Sequence, residues 1–83
     1  MSTPVSTPRV TLYGRPGCHL CDDARAVVEQ VCAELGESYV EVSIDDGADL
    51  QRRFGEEIPV TFVDGRQHDF WRVDPARLRA ALT

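Results

Sequence analysis

The stretch Arg9-Val-Thr-Leu-Tyr-Gly-Arg-Pro-Gly-Cys-His-Leu-Cys21 contains the change of period that decides the fold. Its first half, Arg9-Val10-Thr11-Leu12-Tyr13, alternates polar and apolar side chains and includes β-branched and aromatic members, which predicts a strand. Gly14-Arg15-Pro16-Gly17 then reads as a turn. From Leu20 the apolar residues recur at three- and four-residue spacing: Leu20/Cys21, Ala24, Val27/Val28, Val31/Cys32 and Leu35 share one helical stripe, with Asp22, Asp23, Arg25, Glu29, Gln30 and Glu34 opposite. Gly36 is placed to end this helix in the left-handed conformation. Two cysteines three residues apart therefore sit where a strand's loop enters a helix.

Working outward, Tyr39 through Ile44 alternates again and stops at Asp45-Asp46-Gly47, predicting a second strand. A short helix carries Leu50 and Phe54 one turn apart, with Gly55 behind it. Ile58 through Val63 is a third strand that opens on a proline, where a missing ladder donor is tolerated. Asp64-Gly65 is a strong hairpin signal, so Gln67 through Trp71 returns antiparallel. Phe70 and Trp71 are neighbours in that strand and are expected on opposite sheet faces, one of them in the core. Asp74-Pro75 offers a capping carboxylate and a first-turn proline to a last helix through Leu78, Ala81 and Leu82. The order β-α-β-α-β-β-α predicts an α/β domain, a mixed four-stranded sheet with three helices on its faces.

Composition narrows the function. A chain of 83 residues has room for one domain. Residues 1–8, with two Pro among Ser and Thr, are expected to form a flexible tail, leaving 9–83 as the domain. The net charge of −5 and the lack of a basic cluster argue against a nucleic-acid partner. No apolar run is long enough to span a membrane, and the N-terminus lacks the pattern of a secretory signal. Three cysteines cannot make a fully paired disulfide framework, so a cytoplasmic redox or metal role is expected for the close pair.

The chemistry centres on Cys18-His19-Leu20-Cys21. Unpaired N–H groups and the macrodipole at a helix start favour an anion, so Cys18 is expected to form the nucleophilic thiolate readily. Cys21, one turn on, can reach the Cys18 sulfur and resolve a mixed disulfide. A CxxC at a strand-to-helix junction near a βαβ pattern is a thioredoxin-like redox signal. It is also half of a zinc site, but the remaining candidate ligands are only His19, His68 and Cys32, and Cys32 on the apolar stripe reads as a small buried hydrophobe. A protonated His19 would favour the thiolate, whereas a neutral exposed one would do little. Asp22 and Asp23 suit a helix start, yet their charge opposes a thiolate nearby.

Tyr13-Gly-Arg-Pro-Gly-Cys-His-Leu-Cys21 and Glu57-Ile-Pro-Val-Thr-Phe-Val-Asp-Gly65 together resemble the two motifs of the glutaredoxins, over nearly the whole domain from Arg9 to Leu82. The wording Cys-His-Leu-Cys-Asp is closest to small glutaredoxin-like domains. The resemblance implies a thioredoxin-like fold, Cys18 as nucleophile, Cys21 as resolving thiol, a cis bond at Ile58-Pro59 facing the disulfide, and Arg15 at the family's basic position. Glutaredoxins follow the last strand with a Gly-Gly turn and a polar-Asp pair that hold a glutathione carboxylate. Here the matching stretch is Phe70-Trp71-Arg72-Val73-Asp74, in which Asp74 is either a remnant of that site or a helix cap. Arg72 could act as a carboxylate clamp in place of the backbone donors.

The expectation is a monomeric thiol-disulfide oxidoreductase without a bound cofactor. It would act on disulfide-containing proteins or small molecules and be regenerated by glutathione, another low-molecular-weight thiol or a flavoprotein reductase. The alternatives are a metal or iron-sulfur carrier using the CxxC, and a non-catalytic interaction module on the same fold.

Overall fold

The computed structural model describes residues 8–83, so most of the expected tail, residues 1–7, lies outside the described residues. The elements in chain order are β1 (Val10–Gly14), α1 (His19–Leu35), β2 (Tyr39–Ser43), a 3-10 turn (Ile44–Asp46), α2 (Ala48–Phe54), β3 (Val60–Val63), β4 (Arg66–Phe70) and α3 (Pro75–Leu82). They form one four-stranded sheet in the order β2-β1-β3-β4. β1 runs parallel to β2 and antiparallel to β3, and β3 is antiparallel to β4. A parallel pair needs a long crossover, which α1 supplies, whereas β3 and β4 need only a tight turn. In that turn Asp64 and Gly65 both have positive φ, 53° and 82°, the twist a two-residue hairpin requires.

Alternation on the strands sorts the apolar residues into two cores. Val10 and Leu12 of β1 and Val63 of β3 face α1 and α3, packing with Val28, Val31, Cys32, Leu78 and Leu82. Val60 and Phe62 face α2 together with Tyr13, Ile44, Leu50 and Phe54. The rings of Tyr13, Phe54 and Phe62 lie within 4.7–5.8 Å of one another. Gly36 ends α1 at φ 69°, and its N–H donates to the Cys32 carbonyl. Asp74 caps α3, its carboxylate accepting from the Ala76 and Arg77 N–H groups, with Pro75 in the first turn.

The structure departs from the sequence reading at several ends. Gly14 is the last residue of β1 rather than part of the turn, and Ile44 has left β2 for the 3-10 turn. β3 begins at Val60, two residues later than expected and directly after the cis peptide bond at Ile58-Pro59. Gly55 closes α2 at φ −55°, a right-handed conformation. The expectation that one of Phe70 and Trp71 enters the core is wrong: they are 47% and 52% exposed. Trp71 has left the strand at φ 64°, so alternation no longer applies, and the two rings meet edge-on at 5.0 Å. Val73 takes the core position under α3 instead. A register shift in β4 leaves His68 without a cross-strand partner between Gln67 and Asp69.

Candidate thiol site

The site forms at the end of the sheet where β1 stops and α1 begins. Cys18 is the residue that caps α1: its backbone is extended (φ −99°, ψ 115°) and its sulfur accepts the Cys21 N–H at 3.2 Å. The first helical bond, from the Asp22 N–H to the Cys18 carbonyl, is 3.1 Å long. A thiol in the place usually held by Ser or Asp puts the sulfur where orphan amide donors converge. Cys18 is half-buried, whereas Cys21, one turn on, is fully buried. All three cysteines are free thiols.

Cys21 rests on Gly14. A Cβ built on Gly14 would stand 2.9 Å from the Cys21 sulfur, closer than such atoms approach, so only glycine lets α1 settle this low on β1. Burial pushes the Cys21 thiol up to about 11, its contact with Cys18 adds to the rise, and the Arg15 backbone N–H opposes it. The buried thiol thus keeps its proton while the outer sulfur meets solvent. Cys32 lies on the inner face of α1, and burial raises its thiol as well.

The second segment of the site comes from β3. The β1–β3 register pairs Tyr13 with Val60, so its next step sets buried Pro59 beside Gly14. The Trp71 N–H ties β4 to this segment, donating to the Pro59 carbonyl at 2.7 Å and the Glu57 carbonyl at 3.3 Å. Gly14 thus connects the cysteine helix to β3 at its Pro59 end, and the Trp71 bond connects Pro59 to the end of β4.

The remaining predicted residues are dispersed around it. Arg15 is exposed and its guanidinium pairs with Asp45 at 3.3 Å, across the groove between the β1–α1 loop and the 3-10 turn. His19 is exposed on the first turn of α1. Asp22 is paired with Arg25 at 3.1 Å, and Arg25 also grips Glu41 of β2 through two bonds of 2.9 and 2.8 Å. Its charge is thus shared with a cation one turn away from the thiols. Asp74 is engaged as the cap of α3, and the Arg72 N–H is bonded to the Phe70 carbonyl at 2.8 Å. Among the described residues no group of three or more His, Cys, Asp or Glu side chains converges as a metal site would.

Sequence reasoning missed two residues here. Gly14 reads as turn punctuation, whereas its role depends on Cys21, seven residues further on. Trp71 looked like an alternating strand residue. The Phe70-Trp71-Arg72 departure from the Gly-Gly pattern was a visible signal that the backbone there would differ.

Comparison with known proteins follows the same lines. Residues 9–83 match the family model described as glutaredoxin-like domain (DUF836). A Mycobacterium tuberculosis protein described as uncharacterized is 36% identical over an 83-residue alignment covering 94% of this chain and 86% of the relative. The crystal structure of a structural-genomics target protein from X. campestris is 40% identical, with a TM-score of 0.72 over 86% of this chain and 91% of that one. A glutaredoxin from Archaeoglobus fulgidus is 14% identical and similar in fold alone, with a TM-score of 0.61 over 89% of this chain and 85% of that one. By family match, relatives and architecture together, the chain belongs to the glutaredoxin-like (DUF836) family and has its thioredoxin-like fold.

Proposed function

We propose that the chain is a thiol-disulfide oxidoreductase working by a dithiol mechanism. The observation that carries this reading is the asymmetry of the pair: Cys18 half-exposed with its sulfur accepting a helix N–H, Cys21 buried directly behind it. A thiolate at Cys18 attacks one sulfur of a substrate disulfide. The S–S bond breaks, and the first half of the substrate leaves as a thiolate that takes up a proton. Cys21 then gives up its proton and attacks the Cys18 sulfur in the mixed disulfide, releasing the second half. The products are two substrate thiols and a Cys18–Cys21 disulfide, so two electrons pass to the substrate. An external thiol, glutathione among the candidates, or a flavoprotein reductase returns them.

The burial of Cys21 suits this order of events. A buried neutral thiol does not compete as the first nucleophile, and it lies within reach once Cys18 is engaged. A cluster carrier, by contrast, would need ligands from outside the described chain to complete the coordination that two sulfurs begin.

Turnover of a model disulfide under an excess of thiol reductant tests the assignment. Cys18→Ser is expected to lower the rate at least ~10³-fold, the scale of losing an attacking group. Cys21→Ser is expected to accumulate mixed disulfides on Cys18, seen as a mass increase in the intact protein. Equal rates in the two variants would refute the roles given to them.

A further inference from the structure

The groove between the β1–α1 loop and the 3-10 turn, which Arg15 and Asp45 bridge, has a volume of about 410 Å³ and is also lined by Arg25, Glu41, Ser43 and Asp46. That volume falls within the ~300–1,000 Å³ of small-molecule sites. Arg15 ties the groove to the thiols: it stands three residues before Cys18, and its backbone N–H is bonded to the Cys21 sulfur. Its guanidinium is already committed, donating to the Asp45 carboxylate at 3.3 Å.

We propose that Asp45 is a specificity-determining residue: by holding Arg15 it withholds from anionic substrates the cation of the loop that carries Cys18, so the chain selects disulfides whose flanking groups are neutral or cationic over those with a carboxylate near the sulfur. This rests on the oxidoreductase reading above and names the charge class of its substrate.

The place of Asp45 is built into the fold. Ile44 beside it is fully buried in the second core, and the Ser43 hydroxyl accepts the Asp45 N–H at 3.2 Å. The carboxylate is therefore held at the start of the 3-10 turn, opposite the loop. The other cation of the groove is also in use: Arg25 is held by Asp22 and by both oxygens of Glu41, while Asp46 has no ion pair among the described residues. A carboxylate entering the groove thus finds no unoccupied guanidinium and meets the charge of Asp46. To reach Arg15 it must displace Asp45, which exchanges one ion pair for another without gain. A cationic group finds Asp46 open and leaves the Arg15–Asp45 pair intact, the arrangement that complementary charge favours.

The same contact is suited to an experiment that changes charge and leaves the fold in place. It is a single bond between exposed partners, whereas Arg25 grips Glu41 through two of 2.9 and 2.8 Å. A lone exposed ion pair contributes little to stability.

Alkylation of Cys18 reads the charge at its sulfur without turnover. Iodoacetate and iodoacetamide are similar in size and differ by one charge, so the ratio of their rates cancels any change in the thiolate fraction. The ratio is followed on the reduced protein by peptide mass mapping at low ionic strength, where surface charges are least screened. Asp45→Asn is expected to raise the iodoacetate-to-iodoacetamide ratio ~3-fold, the scale of one surface charge near the reacting atom. Asp45→Glu keeps the charge and is expected to restore the ratio of the unaltered protein. In the double variant Asp45→Asn with Arg15→Gln the gain disappears, because no guanidinium is released. In turnover, the unaltered protein is expected to favour cystamine over 3,3′-dithiodipropionate in kcat/KM, and Asp45→Asn to shift that preference toward the anion ~5-fold through KM, the upper scale of an exposed ion pair.

An unchanged alkylation ratio in Asp45→Asn, or a gain that survives Arg15→Gln, overturns the proposal. Turnover of both disulfides with the same preference in every variant also overturns it and leaves the exchange reading standing. A shifted alkylation ratio with no turnover of either disulfide supports the role of Asp45 and overturns the exchange reading.

Discussion

Where β1 begins, Arg9 holds the neighbouring elements by charge. Its guanidinium grips Asp64 after β3 through two bonds of 2.8 Å, reaches Glu37 before β2 at 3.0 Å, and donates to the Leu82 carbonyl at the end of α3. Where β1 stops, Gly14 and Cys21 meet by close packing, and the neighbouring surface carries exposed apolar rings. One end of the sheet has its polar groups satisfied by other parts of the same chain. The other keeps a sulfur partly open to solvent and an apolar rim uncovered. Loops at the ends of strands carry function because a rigid sheet positions them, and this chain assigns one end to each task.

If the thiol end depends on close packing, adding atoms there should do the most damage. Gly14→Val puts a Cβ and two methyl groups against the Cys21 sulfur, and a loss of about 1–3 kcal/mol is expected, the range for overpacking a well-filled core. Chemical denaturation measures it, and the variant should also close the Cys18–Cys21 disulfide more slowly. An unperturbed Gly14→Val would mean that the seating of α1 on β1 is looser than the geometry implies.

Arg9→Ala breaks the charged end. It should lower the melting temperature by less than Gly14→Val does, because exposed ion pairs are screened by water. Its rate of disulfide exchange should equal that of the unaltered protein, since no bond of Arg9 reaches the thiols. A change in that rate would erase the separation between the two ends.

The buried thiols also give the fold a pH response. Burial holds Cys21 near 11, above its ordinary value of 9.0, and raises Cys32 in the same direction. The folded chain therefore binds these protons more tightly than the unfolded chain. The stabilisation is fully present below pH 9.0 and is lost as the pH rises toward about 11. Melting temperature against pH should show a shallower fall over that window in Cys21→Ser than in the unaltered protein. Superimposable profiles would place the Cys21 proton in water.

The smallest expected effect lies between the two ends. Thr61 is fully buried in β3 and its hydroxyl has no hydrogen-bond partner. Thr61→Val removes that desolvated group and should stabilise the fold by about 1 kcal/mol with no effect on exchange. Destabilisation would imply a bound water on Oγ1.

Much of this was legible in the chain. The strand and helix periods, the Asp64-Gly65 hairpin, the cap at Asp74 and the CxxC at a helix start all follow from local rules, because each depends on residues within a turn or two of one another. The cis bond at Ile58-Pro59 was not local information; the resemblance to glutaredoxins supplied it, and the structure has it. What escaped the sequence were contacts between distant segments. Gly14 is decided by where Cys21 comes to rest, and Trp71 by carbonyls at Glu56, Glu57 and Pro59. Alternation predicts faces only while the chain remains a strand, and at Trp71 it no longer does.

The central claim is that Cys18 and Cys21 act as one two-electron couple behind which Cys32 stays inert. Equilibration in redox buffers of graded potential, followed by alkylation and peptide mass mapping, tests it directly. The account predicts that Cys18 and Cys21 become protected together in a single two-electron transition while Cys32 remains a thiol throughout. Independent loss of the two thiols, or a disulfide that includes Cys32, would contradict it.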